Sequence, residues 1–366
     1  MEKYFEIKPL DIMFFRDGFP FSRGLNFFAK SLFPPNMGTI YNALRTMLLD
    51  YKNYPINQFL QNKINDSTIG SPDSYGDMEV ENFILKDDTD EILIPPKDIV
   101  YTNENEIVVL QKKEFNLTDK TNFNINLKYI FHTEKKFKEK NFFIKKSGLI
   151  KYLEGLSPDK NSIYNISNII VRDKRLGIKI DKRLKTAQNK GLYNIEYIKF
   201  ANEKISFLLK VKISEDISLK NYILRLGGDT KIAVVNTINY NDEYKLPEIK
   251  KFFKIILKTP GIFLKNKYYP DIFVLNDNKE LIFEKNGVRI KLVGMIIDKV
   301  KTISGFDLAR NAQKEIYKAV PAGSLYICEI ESGSFEAVKD EFYPKLKTQS
   351  EKVNKEGYNI TIIGGA

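Results

Sequence analysis

The strongest constraint on this fold is the order in which two hydrophobic periodicities follow one another. Residues 4–15 alternate apolar and polar side chains and then turn wholly apolar, which predicts a strand buried at its far end. Ile40, Leu44, Met47, Leu48 and Tyr51 recur at steps of three and four, which predicts a helix over 36–51 with Asn36 or Thr39 as its cap. Alternation returns at 192–200 and 205–213, read as a hairpin. A short helix is expected over 215–226, with Glu215 and Asp216 in its first turn and Gly227 and Gly228 at its end. A strand at 231–239 completes the series. Strand, helix, strand, strand, helix, strand is the order of a ferredoxin-like, RRM-like domain.

The second half repeats part of that order. Strands are expected at 252–263, 289–300, 324–330 and 358–363, with a helix over 342–355 ended by Gly357. The expected fold class is therefore α+β: two ferredoxin-like (RRM-like, βαββαβ) domains, 1–240 and 241–366. The first carries a long insertion at about 52–190, read as partly ordered. That interval opens on a run of Asn, Asp, Ser and Gly and holds strand-like pieces at 92–94 and 107–110. Its basic segment at 135–146 includes Phe137, Phe142 and Phe143.

Composition narrows the function. The chain has 366 residues, with 58 Lys and Arg against 47 Asp and Glu, a formal charge of +11 that suits a polyanionic partner. Its apolar runs are strand-length, far short of the roughly 20 residues a membrane-spanning helix needs, and the N-terminal stretch does not read as a signal peptide. Cys328 is the only cysteine, so no disulfide can form within the chain. A soluble protein of a reducing cytoplasm is expected, with no membrane partner.

The sole histidine, His132, lies in the lysine-rich stretch FHTEKKFKEK and is expected in a solvated loop. One imidazole cannot supply a paired-histidine ribonuclease site, and the chain is not expected to be an enzyme. No metal or cofactor is implied, since Asp11, Asp17 and Asp229 are too scattered to converge on a cation. The loop Leu226-Gly227-Gly228-Asp229-Thr230 lacks the lysine-serine ending of a phosphate-binding loop.

Only nine arginines occur, and Arg16, Arg23, Arg45, Arg172, Arg175 and Arg183 fall at or beside turns and element ends. Arginine forks hold phosphates bidentately where lysine acts as a point charge. The densest basic segment, 171–185, contains Arg172, Arg175, Gly177, Lys179 and Arg183, and Thr186, Lys190, Gly191 and Tyr193 follow it. Basic and hydroxyl groups interleaved with glycines permit close approach to a sugar-phosphate backbone, and Tyr193 offers a stacking ring. The glycines at 227 and 228 can also admit a nucleic-acid backbone.

Two long motifs near the N-terminus, PLDIMFFRDGFPF at 9–21 and SLFPPNMGTIYNALRT at 31–46, resemble the third-subunit family of the Cmr-type (type III-B) CRISPR RNA-guided effector complex. RLGIKIDKRLKTAQNKGLYNIEYIKF from Arg175, LGGDTKIAVV from Leu226, KTPGIF from Lys258 and the segment 293–326 agree with it. The resemblance implies a repeat-associated RNA-binding protein without catalysis of its own. Such a protein would hold the repeat-derived 5′ tag of the CRISPR RNA, join the large polymerase-palm subunit and the backbone subunits, and meet target RNA indirectly.

Carried over by motif, the resemblance places Arg16 and Gly18 in a turn after the first strand and Phe33 and Pro34 at the entry to the first helix. Arg175, Gly177, Thr186, Gly191 and Tyr193 fall in the basic segment. Gly305 and Phe306 fall in a SGFD motif, and Pro321, Gly323 and Ser324 in a VPAGS turn. Where the family usually has Arg before Pro-Phe, this chain has Phe19. Two other readings are a repeat-RNA processing endoribonuclease of the same fold and an assembly module whose charge answers an acidic partner protein.

Overall fold

Strand β1 (Glu2–Pro9) buries Phe5 and Ile7 on one face, as its alternation requires. It ends six residues earlier than expected, at a proline that has no N–H for a ladder. The chain then leaves the sheet, and Met13 exchanges two backbone hydrogen bonds with Ile198 far downstream. This and all that follows come from a computed structural model, which describes residues 1–16, 28–88, 90–102, 106–114, 125–138, 142–181, 183–266, 268–307 and 309–366.

Helix α1 (Met37–Tyr51) forms as its periodicity predicts and buries Ile40, Tyr41, Leu44, Met47 and Leu48. Asn36 is its N-cap residue, but its carbonyl rather than its side chain closes the first turn, accepting from Thr39 N. The interval read as an insertion then supplies β2 (Glu79–Asp87), β3 (Asp90–Leu93), β4 (Phe142–Lys145), helix α2 (Lys146–Leu153) and β5 (Ile163–Asn165). Next come the long strands β6 (Ile170–Ile180) and β7 (Ala187–Phe200), then β8 (Ile205–Lys212), β9 (Tyr222–Arg225) and β10 (Ile232–Ile238).

Eight of these form one antiparallel sheet in the order β5-β4-β3-β2-β8-β1-β10-β9. Two expectations fail here. The partner of β8 is β2, from within the interval 52–190, and not the predicted strand at 192–200, which belongs to a separate ribbon. Residues 205–209 are all buried, so β8 demands packed neighbours on both sides, and β2 offers Val80, Ile84 and Leu85 beside it. The predicted helix at 215–226 is also absent. Glu215, expected to complement a helix dipole, instead takes Lys52 Nζ and Thr68 Oγ1, and the chain runs extended into β9.

In the second half β11 (Phe252–Leu257), β12 (Leu281–Lys285), β13 (Val288–Ile296), β14 (Leu325–Ser332) and β15 (Thr361–Gly365) form a sheet ordered β12-β13-β14-β11-β15, extended beyond β12 by Val274–Leu275. The four predicted strands are present with shifted ends. The predicted helix over 342–355 shrinks to α3 (Glu351–Lys355), because Pro344 lies inside the predicted span and a helix interior rejects it. Ser350 Oγ caps α3 by accepting from Val353 N, and Gly357 ends it at φ +85°.

The fold is thus mixed α and β with strands predominating. The core under α1 includes Phe5, Ile7, Phe207 and Val235, and it also takes Ile262, Ile303, Ala319, Val353 and Tyr358 from the second half. No helix among the described residues is long and apolar enough to cross a membrane.

Candidate nucleic-acid interface

Strands β6 and β7 pair with each other from Ile170↔Phe200 to Ile178↔Leu192 and, past a bulge, at Ile180↔Ala187, and they are anchored at their base and by Phe28–Ala29, which pairs in parallel with Asn194 and Ile195 of β7. Ile170, Ile198 and Phe200 enter the core, whereas Val171, Leu176, Ile178 and Ile180 are exposed. At about 3.4 Å per residue, the ribbon beyond Arg175 and Ile195 reaches on the order of 20 Å. Side chains alternate across it, so its two faces differ.

One face carries Val171, Asp173, Arg175 and Gly177 opposite Lys199, Tyr197, Ile195 and Tyr193. The Tyr197 ring lies between two cations, with the Arg175 guanidinium 5.4 Å and Lys231 Nζ 5.1 Å from its centroid. Its hydroxyl donates to Asp229 Oδ2 at 2.8 Å, and burial together with that bond pushes it up to about 12. Gly177 is fixed by packing, since a Cβ there would stand 2.3 Å from the Tyr193 ring. The arrangement keeps one tyrosine flat on the strand.

The other face carries Arg172, Lys174, Leu176 and Ile178 opposite Ile198, Glu196, Asn194 and Leu192. Arg172 is tied down, donating to Glu196 Oε1 and to Ser31 O. Farther out Leu176, Ile178, Ile180 and Leu192 form an exposed apolar strip, continued by Leu184 at the turn. In that turn Asp181 Oδ1 accepts from Arg183 N and Leu184 N, which draws its carboxyl below the usual range. Lys174, Lys179, Arg183 and Lys185 are exposed and make no ion pair or side-chain hydrogen bond among the described residues.

The base of the ribbon gathers other predicted residues. Gly227 and Gly228 lie in a loop between β9 and β10, not at a helix end. Gly228 N donates to Phe14 O at 2.7 Å, and Gly227, at φ +82°, would set a Cβ 2.5 Å from the same oxygen. Phe14 in turn packs on Tyr197 at 5.5 Å. Arg16 is bridged to Ser31 and lies exposed at this junction. The structure therefore brings Arg16, Arg172, Arg175, Gly227, Gly228 and Tyr197 together, with Gly177, Lys179, Arg183, Thr186, Gly191 and Tyr193 along the ribbon.

Others fall elsewhere. Arg45 is buried on α1, its guanidinium donating to the carbonyls of Ile69, Ser71 and Ser74 between the rings of Phe59 and Tyr75, so it is withdrawn from the interface. Phe33 is withdrawn too, because it packs among Phe143, Phe200 and Phe207. Gly305 and the backbone of Phe306 lie on another hairpin, tied to the loop at Asp73 through Arg310. Gly18 and Arg23 lie outside the described residues, as do the side chains of Lys190 and Phe306.

His132 ends a strand, Tyr129–His132, and is partly buried rather than in a solvated loop. Among the described residues no three His, Cys, Asp or Glu side chains converge as a metal site would require. Sequence reasoning missed Tyr197 and Lys231 as site residues. A signal was available for Tyr197, which shares a face of an alternating strand with the predicted Tyr193; Lys231 carried none.

Residues 5–366 match the model of a family described as CRISPR-associated protein (Cas_Cmr3). The CRISPR system CMR subunit Cmr3 of Saccharolobus solfataricus is 26% identical over 204 residues, which is 55% of this chain and 56% of that relative. The match thus spans little more than half of the relative's length. In the cryo-EM structure of a type III-B Cmr-beta bound to cognate target RNA and AMPPnP, one chain superposes with a TM-score of 0.55 at 18% identity, over 98% of this chain and 96% of that one. A Cmr-beta structure bound to cognate target RNA gives the same values. At that identity the likeness concerns the fold.

Proposed function

The chain belongs to the CRISPR-associated Cmr3 family, and from that premise we propose that it is a non-catalytic RNA-binding subunit of a type III-B effector complex in antiviral defence. In this reading it holds the repeat-derived 5′ tag of the CRISPR RNA and docks onto the large polymerase-palm subunit. The observation that carries the reading is the projecting ribbon of β6 and β7, with four cations that make no ion pair or side-chain hydrogen bond among the described residues. A single strand of RNA supplies phosphates for such cations and bases for an aromatic face. The apolar strip on the opposite face suits insertion beside unstacked bases, as apolar wedges do in other nucleic-acid complexes.

The two sheets fit two ferredoxin-like domains meeting near residue 240. Each contains four strands in the spatial order fourth, first, third, second, namely β10-β1-β8-β2 and β15-β11-β14-β13, all antiparallel. The second helix of the first domain is replaced by extended chain, and those of the second are reduced to short turns and α3.

Purified protein is expected to bind tag-containing RNA more tightly than RNA with a scrambled tag. Equal affinity would remove tag recognition from the reading. Charge reversal at Arg175 and Arg183 that left RNA affinity unchanged would favour an assembly module. Metal-independent cleavage of repeat RNA at one site, lost in His132→Ala, would replace the whole reading with a processing endoribonuclease.

A further inference from the structure

A cleft of about 220 Å³ lies between the two sheets, with Glu81, Lys210, Asp242, Tyr244, Lys258 and Tyr343 among its walls. The connecting segment after β10 crosses this seam, where the carboxylates of Glu91 and Asp242 are already engaged. Glu91 accepts from Lys146 Nζ at 2.7 Å, from Tyr240 at 3.0 Å and from the Tyr244 hydroxyl. Asp242 accepts from Tyr4 at 2.7 Å and Asn82 at 2.6 Å. Lys210 is held by Glu2 at 2.9 Å.

Lys258, just past β11, pairs with neither Glu91 nor Asp242. Its backbone is fixed by Ile360 O, and its ammonium stands 4.8 Å from the Tyr244 ring centroid, with Lys146 at 4.6 Å from the same ring. It makes no hydrogen bond or ion pair through Nζ among the described residues. The Tyr343 hydroxyl beside it is likewise without one.

We propose that Lys258 is a reactive amine, acylated by small acyl phosphates more readily than the exposed lysines of this chain. The geometry supplies what the reaction needs: an amine without an acceptor, partly buried at the wall of a cleft with room for the product. An acetyl group takes about two water volumes of roughly 30 Å³ each, well within the cleft. In the step, the nitrogen lone pair forms a C–N bond to the acyl carbon. The C–O bond to phosphate breaks, phosphate leaves with that electron pair, and the amine proton passes to solvent.

Electrostatics agree with the geometry. Burial pushes Lys258 down to about 8 against the upward pull of Glu91 and Asp242, with Lys146 and Lys210 adding to the depression. An ordinary lysine titrates near 10.4, so at pH 7 the free-base fraction of Lys258 exceeds that of an exposed lysine by about two orders of magnitude. Lower intrinsic nucleophilicity takes back part of that advantage.

The test is wild-type protein incubated with isotope-labelled acetyl phosphate at pH 7 to 9.5, with acetylation of each lysine followed by peptide mass spectrometry. Lys258 is expected to react about tenfold faster than exposed Lys174 at pH 7, with the ratio falling above pH 8 as Lys174 gains free base and Lys258 levels off. Equal or slower reaction at Lys258, or a ratio independent of pH, would overturn the assignment. No variant is required, so a folding defect cannot obscure the outcome.

Discussion

Replacing Lys174, Lys179, Arg183 and Lys185 together by Gln tests the ribbon directly, because the four side chains are exposed and make no ion pair or side-chain hydrogen bond among the described residues. Each contact between a cation and a single-stranded phosphate contributes about 0.7 to the slope of log K against log salt. If all four meet phosphates, the slope should fall by about 3, and counterion release at about 0.15 M salt then accounts for up to a 200-fold loss of affinity. Fluorescence anisotropy with a tag-containing single-stranded RNA between 50 and 400 mM KCl measures both quantities. Stability should stay within about 0.5 kcal/mol, as for surface substitutions without contacts. A slope change below one would mean that these cations do not sit on phosphates. A large drop in urea midpoint would mean that the charges are structural, contrary to their exposure.

Arg45→Met keeps bulk in the core but leaves three carbonyls without their donor, so a loss of about 3 kcal/mol is expected from urea unfolding; a loss below about 1 would show that water replaces the guanidinium. Gly227→Ala and Gly155→Ala separate strain from clash, since both glycines have positive φ but only Gly227 faces an atom, Phe14 O, at 2.5 Å. The first should cost at least about 1 kcal/mol more than the second, and equal costs would refute the close approach. Acid should also weaken the tie between α1 and the chain after β8. Burial alone would raise Asp66, but Lys52 and two backbone N–H groups hold it below the usual carboxylate range, and bonds from Lys52 and Thr68 do the same for Glu215. Both folded values are depressed, so their stabilisation is present above about pH 4 and is lost as pH falls through the folded values. Asp66→Asn should flatten that part of the stability profile, and an unchanged profile would exclude the pair.

Helix α1 was legible because its signal is local: Ile40, Leu44 and Leu48 mark a face that any core would bury. The sheet beside it was not, since nothing near Val80 or Ile84 announces a partner more than a hundred residues away. The stretch at 192–200 misled for a related reason. Leu192, Asn194 and Glu196 alternate with Tyr193, Ile195 and Tyr197 as in a half-buried strand, and Glu196, Tyr197, Ile198 and Phe200 are buried, but the strand pairs with β6 and not with β8. Glu215 and Asp216 carried a true helix-start signal that tertiary contacts overrode, because Lys52 and Thr68 hold Glu215 in an extended segment. Within the site, the clustering of basic residues was visible from composition. The division of labour was not, since Arg45 and Arg172 bind carbonyls and a carboxylate whereas Lys174 and Lys179 reach solvent.

The register of the first sheet has a consequence for synthesis of the protein. β1 finds its neighbour only when Glu2 meets Lys212 and Ile7 meets Phe207, and β2 waits for the same strand. At about 5–20 residues per second, a ribosome takes on the order of 10–40 s to deliver that partner. During this interval Phe5, Ile7 and the apolar face of α1 have no completed sheet to cover them. The nascent N-terminal half is therefore the aggregation-prone species, and slow closure of these distant pairings should limit the rate at which the chain folds.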